Sequence, residues 1–182
     1  GLIMKIKASI ILLFISLAAY PNPSEFNRYF ISASGTAKPS VVNISAYEKK
    51  GRDSGGKLIR VSYGTDTIIS KHGFIVTNYH VVKKGDFFRA VTSDGKTYDM
   101  QQFDNGMYYI SDNKTDIAVL KLDNRYGSVF NPIRFGDSNL LNEGEWVLAI
   151  WNPYGLKQSI TAGIVSSKGR DNIGFTDIED FI

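Results

Sequence analysis

The sequence of 182 residues contains no cysteine and only two histidines, His72 and His80. The absence of cysteine excludes disulfides, thiolate metal sites and a cysteine nucleophile within this sequence. Two histidines are too few for a multi-histidine metal site. No metal ion or organic cofactor is implied by the sequence.

The sequence also has no large excess of charge of either sign. The formal net charge is +3 and the isoelectric point is near 9.0, which is too weak and too dispersed to indicate a nucleic-acid partner. Tyr, Phe and Gly are frequent, with 10, 11 and 17 residues, and the apolar runs are short. This composition favours an all-β protein.

The longest apolar run lies near the amino terminus, at residues 8–20. Lys5 and Lys7 precede it and Pro21 and Pro23 follow it, which is the layout of a secretory signal peptide covering residues 1–22. The alternative is an uncleaved membrane anchor, although the run is shorter than the roughly 20 residues that a spanning helix needs. We predict an extracytoplasmic location, periplasmic or secreted, with membrane contact only through an uncleaved leader.

Residues 23–38 combine an aromatic cluster with a polar stretch, which we interpret as an N-terminal segment and linker. Beyond it, alternating or β-branched runs predict a series of short strands. The strand that begins at Leu58 is predicted to end at Gly64, and Ser70–Gly73 is predicted to be a hairpin turn. The predicted strands are 41–47, 58–63, 68–69, 74–76, 87–92, 97–100, 117–122, 145–151 and 159–167.

His80 follows the predicted strand 74–76 after a short polar segment. A histidine at the end of a buried strand is held by the core and still reaches a cleft, which suits a general base. The alternative is a core histidine whose hydrogen bonds are satisfied internally.

Asp116 stands at the start of the nearly continuous apolar strand 117–122. A carboxylate there is costly to bury without a partner, and a histidine base needs a carboxylate on its far nitrogen. Asp116 could instead cap its own backbone, as loop aspartates often do. Asp112 and Asp104 are weaker candidates because neither adjoins an apolar strand.

Seven collinear segments make the sequence similar to the HtrA (Do-like) family of extracytoplasmic serine proteases. They cover the chain from about residue 39 to its end. The segments are Pro39–Ile44, Gly73–Val82, Thr115–Lys121, Phe135–Ser138, Gly144–Ile150, Asn152–Leu156 and Thr161–Ser166.

The resemblance implies a trypsin-like double antiparallel β-barrel with an active site in the cleft between the barrels. The first barrel would cover residues 39–126, and residues 127–182 would form part of the second. The resemblance places the general base at His80 and the orienting acid at Asp116. It also implies unfolded or damaged polypeptides as substrates, and homotrimers held by residues near the amino terminus, where Phe26, Tyr29 and Phe30 lie.

The family's nucleophile motif, Gly-Asn-Ser-Gly-Gly, does not occur in this sequence. We therefore expect a fragment that lacks the serine and is inactive as it stands. Ser54 is followed by two glycines but lies upstream of His80 in a charged loop, where the family has no nucleophile. Two departures, Asp66 and Trp151 at positions where the family usually has glycine, keep open the alternative of a non-catalytic relative that binds polypeptide.

Overall fold

The computed structural model describes residues 23–50, 57–151 and 159–169. The predicted leader at 1–22, the turn predicted at 152–155 and Ser54 lie outside these ranges. The elements in chain order are α1 (Pro23–Ala37), a 3₁₀ turn (Lys38–Ser40), β1 (Val41–Lys49), β2 (Leu58–Ile68), β3 (Phe74–Asn78), α2 (Tyr79–Val82), β4 (Phe87–Thr92), β5 (Thr97–Asp99), β6 (Tyr109–Asp112), β7 (Ile117–Lys121), a second 3₁₀ turn (Ser138–Leu140), β8 (Trp146–Trp151) and β9 (Ser159–Ile164).

Seven strands form one curled antiparallel sheet in the order β5-β4-β1-β2-β3-β7-β6. Its curl is closed by an antiparallel bridge between Met100, just after β5, and Leu122, just after β7. Two backbone hydrogen bonds flank this bridge, from the Gln101 N–H to the Lys121 carbonyl and from the Asp123 N–H to the Asp99 carbonyl, both 2.8 Å long. Joining strand ends in this way gives the sheet an enclosed interior.

The interior is filled by the inward-facing positions of alternating strands. On β1 these positions are Val42, Ile44 and Ala46, all essentially inaccessible to solvent. Because successive side chains of a strand point to opposite faces, the alternation seen in the sequence becomes one buried face. Further core residues are Ile68, Ile75, Phe88, Ala90, Ala118, Leu120 and Leu122, and residues outside the strands, such as Val82 and Phe130, complete the core.

The turn between β2 and β3 has the predicted form. Gly73 has φ of 87°, and its N–H donates to the Ser70 carbonyl at 3.1 Å. A positive φ favours glycine. A side chain here would also collide with the core, because a Cβ atom would lie 2.9 Å from Phe130 Cε2.

The strand predicted to end at Gly64 is longer than predicted. Strand β2 runs on to Ile68, and Gly64 pairs with Ile44 of β1 inside the ladder. The glycine makes room for another element instead of starting a turn, since a Cβ atom there would lie 3.1 Å from Val81 Cγ2 of α2. Strand β6 was not predicted, because its residues are mostly exposed and carry no alternating pattern.

The segment interpreted as a linker is instead largely the helix α1. Its seryl and threonyl side chains bond back to the helix's own carbonyl groups, Ser34 to Ile31 at 3.0 Å and Thr36 to Ser32 at 2.9 Å. Such bonds let polar residues remain helical. The aromatic residues Phe26 and Phe30 are spaced i, i+4, and their ring centroids lie 4.8 Å apart.

Strands β8 and β9 form a separate two-stranded antiparallel hairpin, from Trp146 paired with Ile164 to Trp151 paired with Ser159. With one curled sheet and one hairpin, the described fold is mostly β, as predicted. Across the described ranges we find no helix with the length and apolarity that crossing a membrane requires.

Candidate active site

His80 is carried by α2, the short helix that directly follows β3. Val81 and Val82 on this helix are buried in the core, so they fix the helix while the neighbouring position faces outward. The His80 side chain is 59% exposed. This exposure rules out a core histidine and leaves the ring where a substrate could reach it.

Asp116 lies directly before β7, the strand that pairs with β3. Its φ is 55°, a left-handed conformation that is uncommon for residues other than glycine. The conformation is held by the start of α2, because the Tyr79 N–H donates to the Asp116 carbonyl at 2.8 Å. A strained backbone that is held in this way is typical of functional sites.

The two side chains meet directly. His80 Nδ1 lies 2.6 Å from Asp116 Oδ2, and the His80 backbone N–H donates to Oδ1 at 2.8 Å. The Asn78 amide donates to Oδ2 at 3.2 Å. One carboxylate therefore binds both the backbone and the ring of the same histidine, which fixes the orientation of the imidazole.

This contact also selects the ring tautomer. A carboxylate on Nδ1 favours a proton at that nitrogen and leaves the lone pair on Nε2. No hydrogen bond joins Nε2 to any part of the chain that the structure describes. A neutral His80 of this tautomer can accept a proton at Nε2 from a hydroxyl group of a neighbouring residue or of water.

The electrostatics of Asp116 agree with this arrangement. Partial burial of the carboxyl would by itself raise its pKa, but the hydrogen bonds from the His80 ring and backbone, the His80 charge and the Asn78 amide together lower the pKa of Asp116. The carboxylate is thus ionised at neutral pH. An ionised partner stabilises the imidazolium that forms when His80 takes up a proton.

The other predicted acids occupy different places. Asp112 caps its own loop, accepting bonds from the Lys114 N–H and from the Thr115 hydroxyl, each at 3.0 Å. It therefore has the local role that was the alternative for Asp116, and Asp104 is exposed in a turn. Asn78 was missed by the sequence analysis, although its position two residues before His80 was a usable signal.

Nothing in the described ranges brings together three His, Cys, Asp or Glu side chains that could hold a metal ion. The arrangement that the structure does show is an exposed imidazole held by a carboxylate, with the Asn78 amide supporting the carboxylate.

Comparison with known proteins gives consistent matches. Residues 64–181 match the family model of the trypsin-like peptidase domain. A probable periplasmic serine endoprotease, DegP-like, from Brucella suis biovar 1 (strain 1330) is 42% identical over 122 residues, which are 67% of this chain and 22% of the relative. The DegP-like relative from Chlamydia trachomatis serovar D is 32% identical over 163 residues, 90% of this chain and 28% of its own length.

The chain thus spans between about a fifth and a third of the length of these relatives. Among solved structures, the HtrA-type protease AlgW with tripeptide superposes with a TM-score of 0.68 at 30% identity, over 83% of this chain and 44% of that one. Sequence and structure therefore agree that the chain belongs to the trypsin-like peptidases, and among these to the HtrA-type serine proteases.

Proposed function

We propose that this chain carries the general base and the orienting acid of a Ser-His-Asp triad in an extracytoplasmic serine endopeptidase. The observation that carries the proposal is the 2.6 Å contact between His80 Nδ1 and Asp116 Oδ2, with the ring exposed to solvent. His80 is the base and Asp116 is the acid.

In the proposed mechanism a serine hydroxyl attacks the carbonyl carbon of a peptide bond while His80 Nε2 takes the hydroxyl proton. Asp116 stabilises the resulting imidazolium through Nδ1. The tetrahedral intermediate collapses, and His80 returns the proton to the leaving amine. Water then repeats the sequence on the acyl-enzyme, with backbone N–H groups around the serine stabilising each oxyanion.

The 182 residues contain no Gly-Asn-Ser-Gly-Gly segment that would supply this serine and its oxyanion hole. Loss of a catalytic serine alone lowers kcat by roughly 10⁶. We therefore propose that the 182-residue chain by itself does not hydrolyse peptides. Steady release of label from unfolded casein by this chain, abolished by His80→Ala, would contradict the proposal.

The names of the relatives support the proposed location and the proposed class of substrates. Periplasmic serine endoproteases act outside the cytoplasm on polypeptides, and we propose the same location and unfolded or damaged polypeptides as substrates. We also propose a division into a first barrel at residues 39–126 and part of a second at residues 127–182. We further propose that the protein forms homotrimers through the aromatic residues of α1.

The triad is tested in the full-length gene product, with fluorescently labelled unfolded casein as substrate and a fluorophosphonate probe as the reporter of an activated serine. His80→Ala is expected to lower kcat by roughly 10⁶ and Asp116→Asn by about 10⁴. His72→Ala is the matched control, because His72 is the second histidine and sits in the exposed β2–β3 turn. Full activity in His80→Ala would refute the assignment.

The alternative is a relative that binds unfolded polypeptide without cutting it. Asp66 and Trp151, at positions where the family usually has glycine, favour this alternative. The same assay separates the two functions. A full-length product that binds unfolded casein but neither cleaves it nor reacts with the fluorophosphonate would be a binding protein.

A further inference from the structure

Two neighbouring clefts on the curled sheet share Met100 and Tyr108 as lining residues, and we call the pair the Met100 groove. One cleft has a volume of about 330 Å³ and the other of about 840 Å³. Both volumes lie within the range of ligand-binding pockets. Because the two clefts share lining residues, one extended ligand can occupy both.

The Met100 groove lies away from the candidate active site. Phe74 and Lys121, which line the groove, form the pair at one end of the β3–β7 ladder. Asn78 and Ile117 form the pair at the other end, next to the candidate active site. Four residue steps along a strand correspond to about 13 Å. The groove is therefore separate from the candidate active site but lies on the same two strands.

The smaller cleft is the apolar end of the groove. Leu58 is 46% exposed and Phe87 is 38% exposed, so both present apolar surface to a ligand. The Tyr108 ring packs beside Phe87, with 6.2 Å between the ring centroids. The charged residues of this cleft, Arg89 and Asp99, pair with each other at 3.0 Å. This end suits an uncharged aromatic or large aliphatic side chain.

The larger cleft is the cationic end of the groove. Its Arg125 and Asp123 side chains pair with each other at 2.7 Å. The Lys121 ammonium forms no ion pair with any carboxylate in the described ranges. Lys121 Nζ lies 5.4 Å from the centroid of the Phe74 ring, a cation–π contact that positions the ammonium. A positioned ammonium without a carboxylate partner is complementary to a carboxylate of a ligand.

The two ends are close enough for one short segment of polypeptide to occupy both. The Met100 N–H donates to the Phe88 carbonyl at 3.3 Å, and the Gln101 N–H donates to the Lys121 carbonyl at 2.8 Å. The backbone at residues 100–101 therefore lies between β4 and the end of β7, and two interstrand spacings are about 10 Å. In the polyproline II conformation, which unfolded chains often adopt, residues i and i+3 lie on the same side about 9 Å apart.

We propose that the Met100 groove binds an internal segment of unfolded polypeptide in which an aromatic or large aliphatic residue is followed three residues later by Asp or Glu. The apolar side chain enters the apolar end, and the carboxylate pairs with Lys121. The choice of a polypeptide as the ligand rests on the proposed function, whereas the charge and the spacing are properties of the groove itself. A polypeptide held here stays close to the candidate active site, which raises its effective concentration there.

The experiment is a fluorescence-anisotropy titration of the 182-residue chain with a short peptide rich in serine and glycine. The peptide carries phenylalanine and, three residues later, glutamate. An amino-terminal dye and a carboxyl-terminal amide remove the terminal charges, so the glutamate supplies the only carboxylate. Replacing this glutamate by glutamine is expected to weaken binding about fivefold. Replacing the phenylalanine by serine is expected to weaken it about tenfold.

Lys121→Gln should weaken binding of the glutamate peptide about fivefold and make the chain bind the glutamate and glutamine peptides equally. Glutamine retains part of the aliphatic stem of this partly buried side chain, so the fold is expected to persist. Lys84→Gln is the matched control, because Lys84 is an exposed lysine that lines neither end of the groove. A glutamate preference that is absent from the unmodified chain, or that persists in Lys121→Gln, would overturn the proposal.

A second measurement locates the peptide without any substitution in the groove. The sequence has three methionines, and their methyl groups can be labelled with ¹³C for NMR. The Met100 methyl signal should shift when the peptide is added, whereas Met107 lines neither end and should shift less. Binding that leaves the Met100 signal in place, or no binding at all, would overturn the proposal.

The proposed function and the groove fail in different ways. A full-length product that binds the peptide through Lys121 but does not cleave unfolded casein would refute the proteolytic function and support the groove. A full-length product that cleaves casein without binding the peptide would refute the groove alone.

Discussion

The curled sheet of β1–β7 and the β8–β9 hairpin are built from similar types of residue but lie in very different surroundings. Both contain β-branched and aromatic residues in short strands. In the sheet, inward positions such as Ile75 and Leu120 are fully buried, whereas Ile160 and Ile164 of the hairpin are 39% and 51% exposed. The difference shows that strand formation and burial are separate outcomes of an apolar pattern.

Burial needs a second layer or a closed curl that covers the apolar face. The sheet provides this itself, because the Met100–Leu122 bridge ties its ends together. The hairpin has a contact with α1, where Phe26 and Phe30 meet Trp146 edge to face at 5.6 and 5.7 Å between ring centroids. His80, on α2, and Asp116, directly before β7, both adjoin strands of this sheet.

The largest expected effect comes from one substitution made in both regions. Ile75→Ala removes a fully buried side chain and leaves a cavity, so it should lower the free energy of unfolding by about 2–5 kcal/mol. Ile160→Ala removes a partly exposed side chain and should cost less than about 1 kcal/mol. Urea denaturation followed by far-UV circular dichroism measures both values. Equal losses would show that the hairpin is as tightly packed as the sheet.

The next effect is a dependence of stability on pH that originates in the sheet. In the folded state the pKa of Asp66 is raised from 3.8 to about 7, so the folded chain holds this proton where the unfolded chain has lost it. The contribution of Asp66 to the free energy of unfolding is fully present below about pH 4 and is lost as the pH rises through about 7. We expect a total loss on the order of 2–4 kcal/mol.

Asp66→Asn should remove this slope and make the chain more stable than the wild type above pH 7. Asp116 gives the opposite dependence, because its pKa is lowered in the fold. Its contribution is present above the unfolded value of 3.8 and is lost as the pH falls through the folded value. Thermal melts of Asp66→Asn and Asp116→Asn across the pH range separate the two carboxyls, and an unchanged slope in Asp66→Asn would contradict the assignment.

The sequence alone was sufficient to predict the strands whose inward and outward residues alternate regularly. Strand β4, predicted at 87–92, occupies Phe87–Thr92, because its alternation coincides with one buried face. The helix α1 was missed because its serine, glycine and threonine residues are typical of a linker, and the i, i+4 aromatic pair was not recognised as a helical signal. Its helical state is supported by bonds from Ser34 and Thr36 to the helix's own carbonyl groups.

The candidate site, like the fold, could be predicted only in part from the sequence. His80 and Asp116 were visible because each adjoins an apolar strand. The positive φ of Asp116 and the supporting role of Asn78 depend on the pairing of β3 with β7, which no local pattern encodes. Asp66 appeared in the sequence only as a departure from the family's glycine, and its burial follows from β2 continuing past Gly64.

A smaller effect is expected from two glycines that share a backbone conformation. Gly73 in the sheet and Gly144 before the hairpin have φ of 87° and 89°. An added Cβ would collide with Phe130 at Gly73, whereas it meets nothing within 4 Å at Gly144. Gly73→Ala should therefore cost about 2–3 kcal/mol and Gly144→Ala about 1 kcal/mol, the cost of the left-handed conformation alone. Equal costs in denaturant melts would mean that Phe130 moves aside.

The smallest effect concerns the contact that links the hairpin to α1. Phe30→Ala removes one of the two rings that meet Trp146 edge to face, a contact of about 0.5–1.5 kcal/mol. In a Trp151→Phe background, which leaves Trp146 as the single tryptophan, its fluorescence should shift to the red as the indole gains water. Tyr29→Ala, at an exposed position of the same helix, should leave the emission nearly unchanged. Because the core of the sheet is buried without α1, the far-UV signal of the sheet should persist in Phe30→Ala. A loss of that signal together with the red shift would mean that sheet and hairpin unfold as one unit.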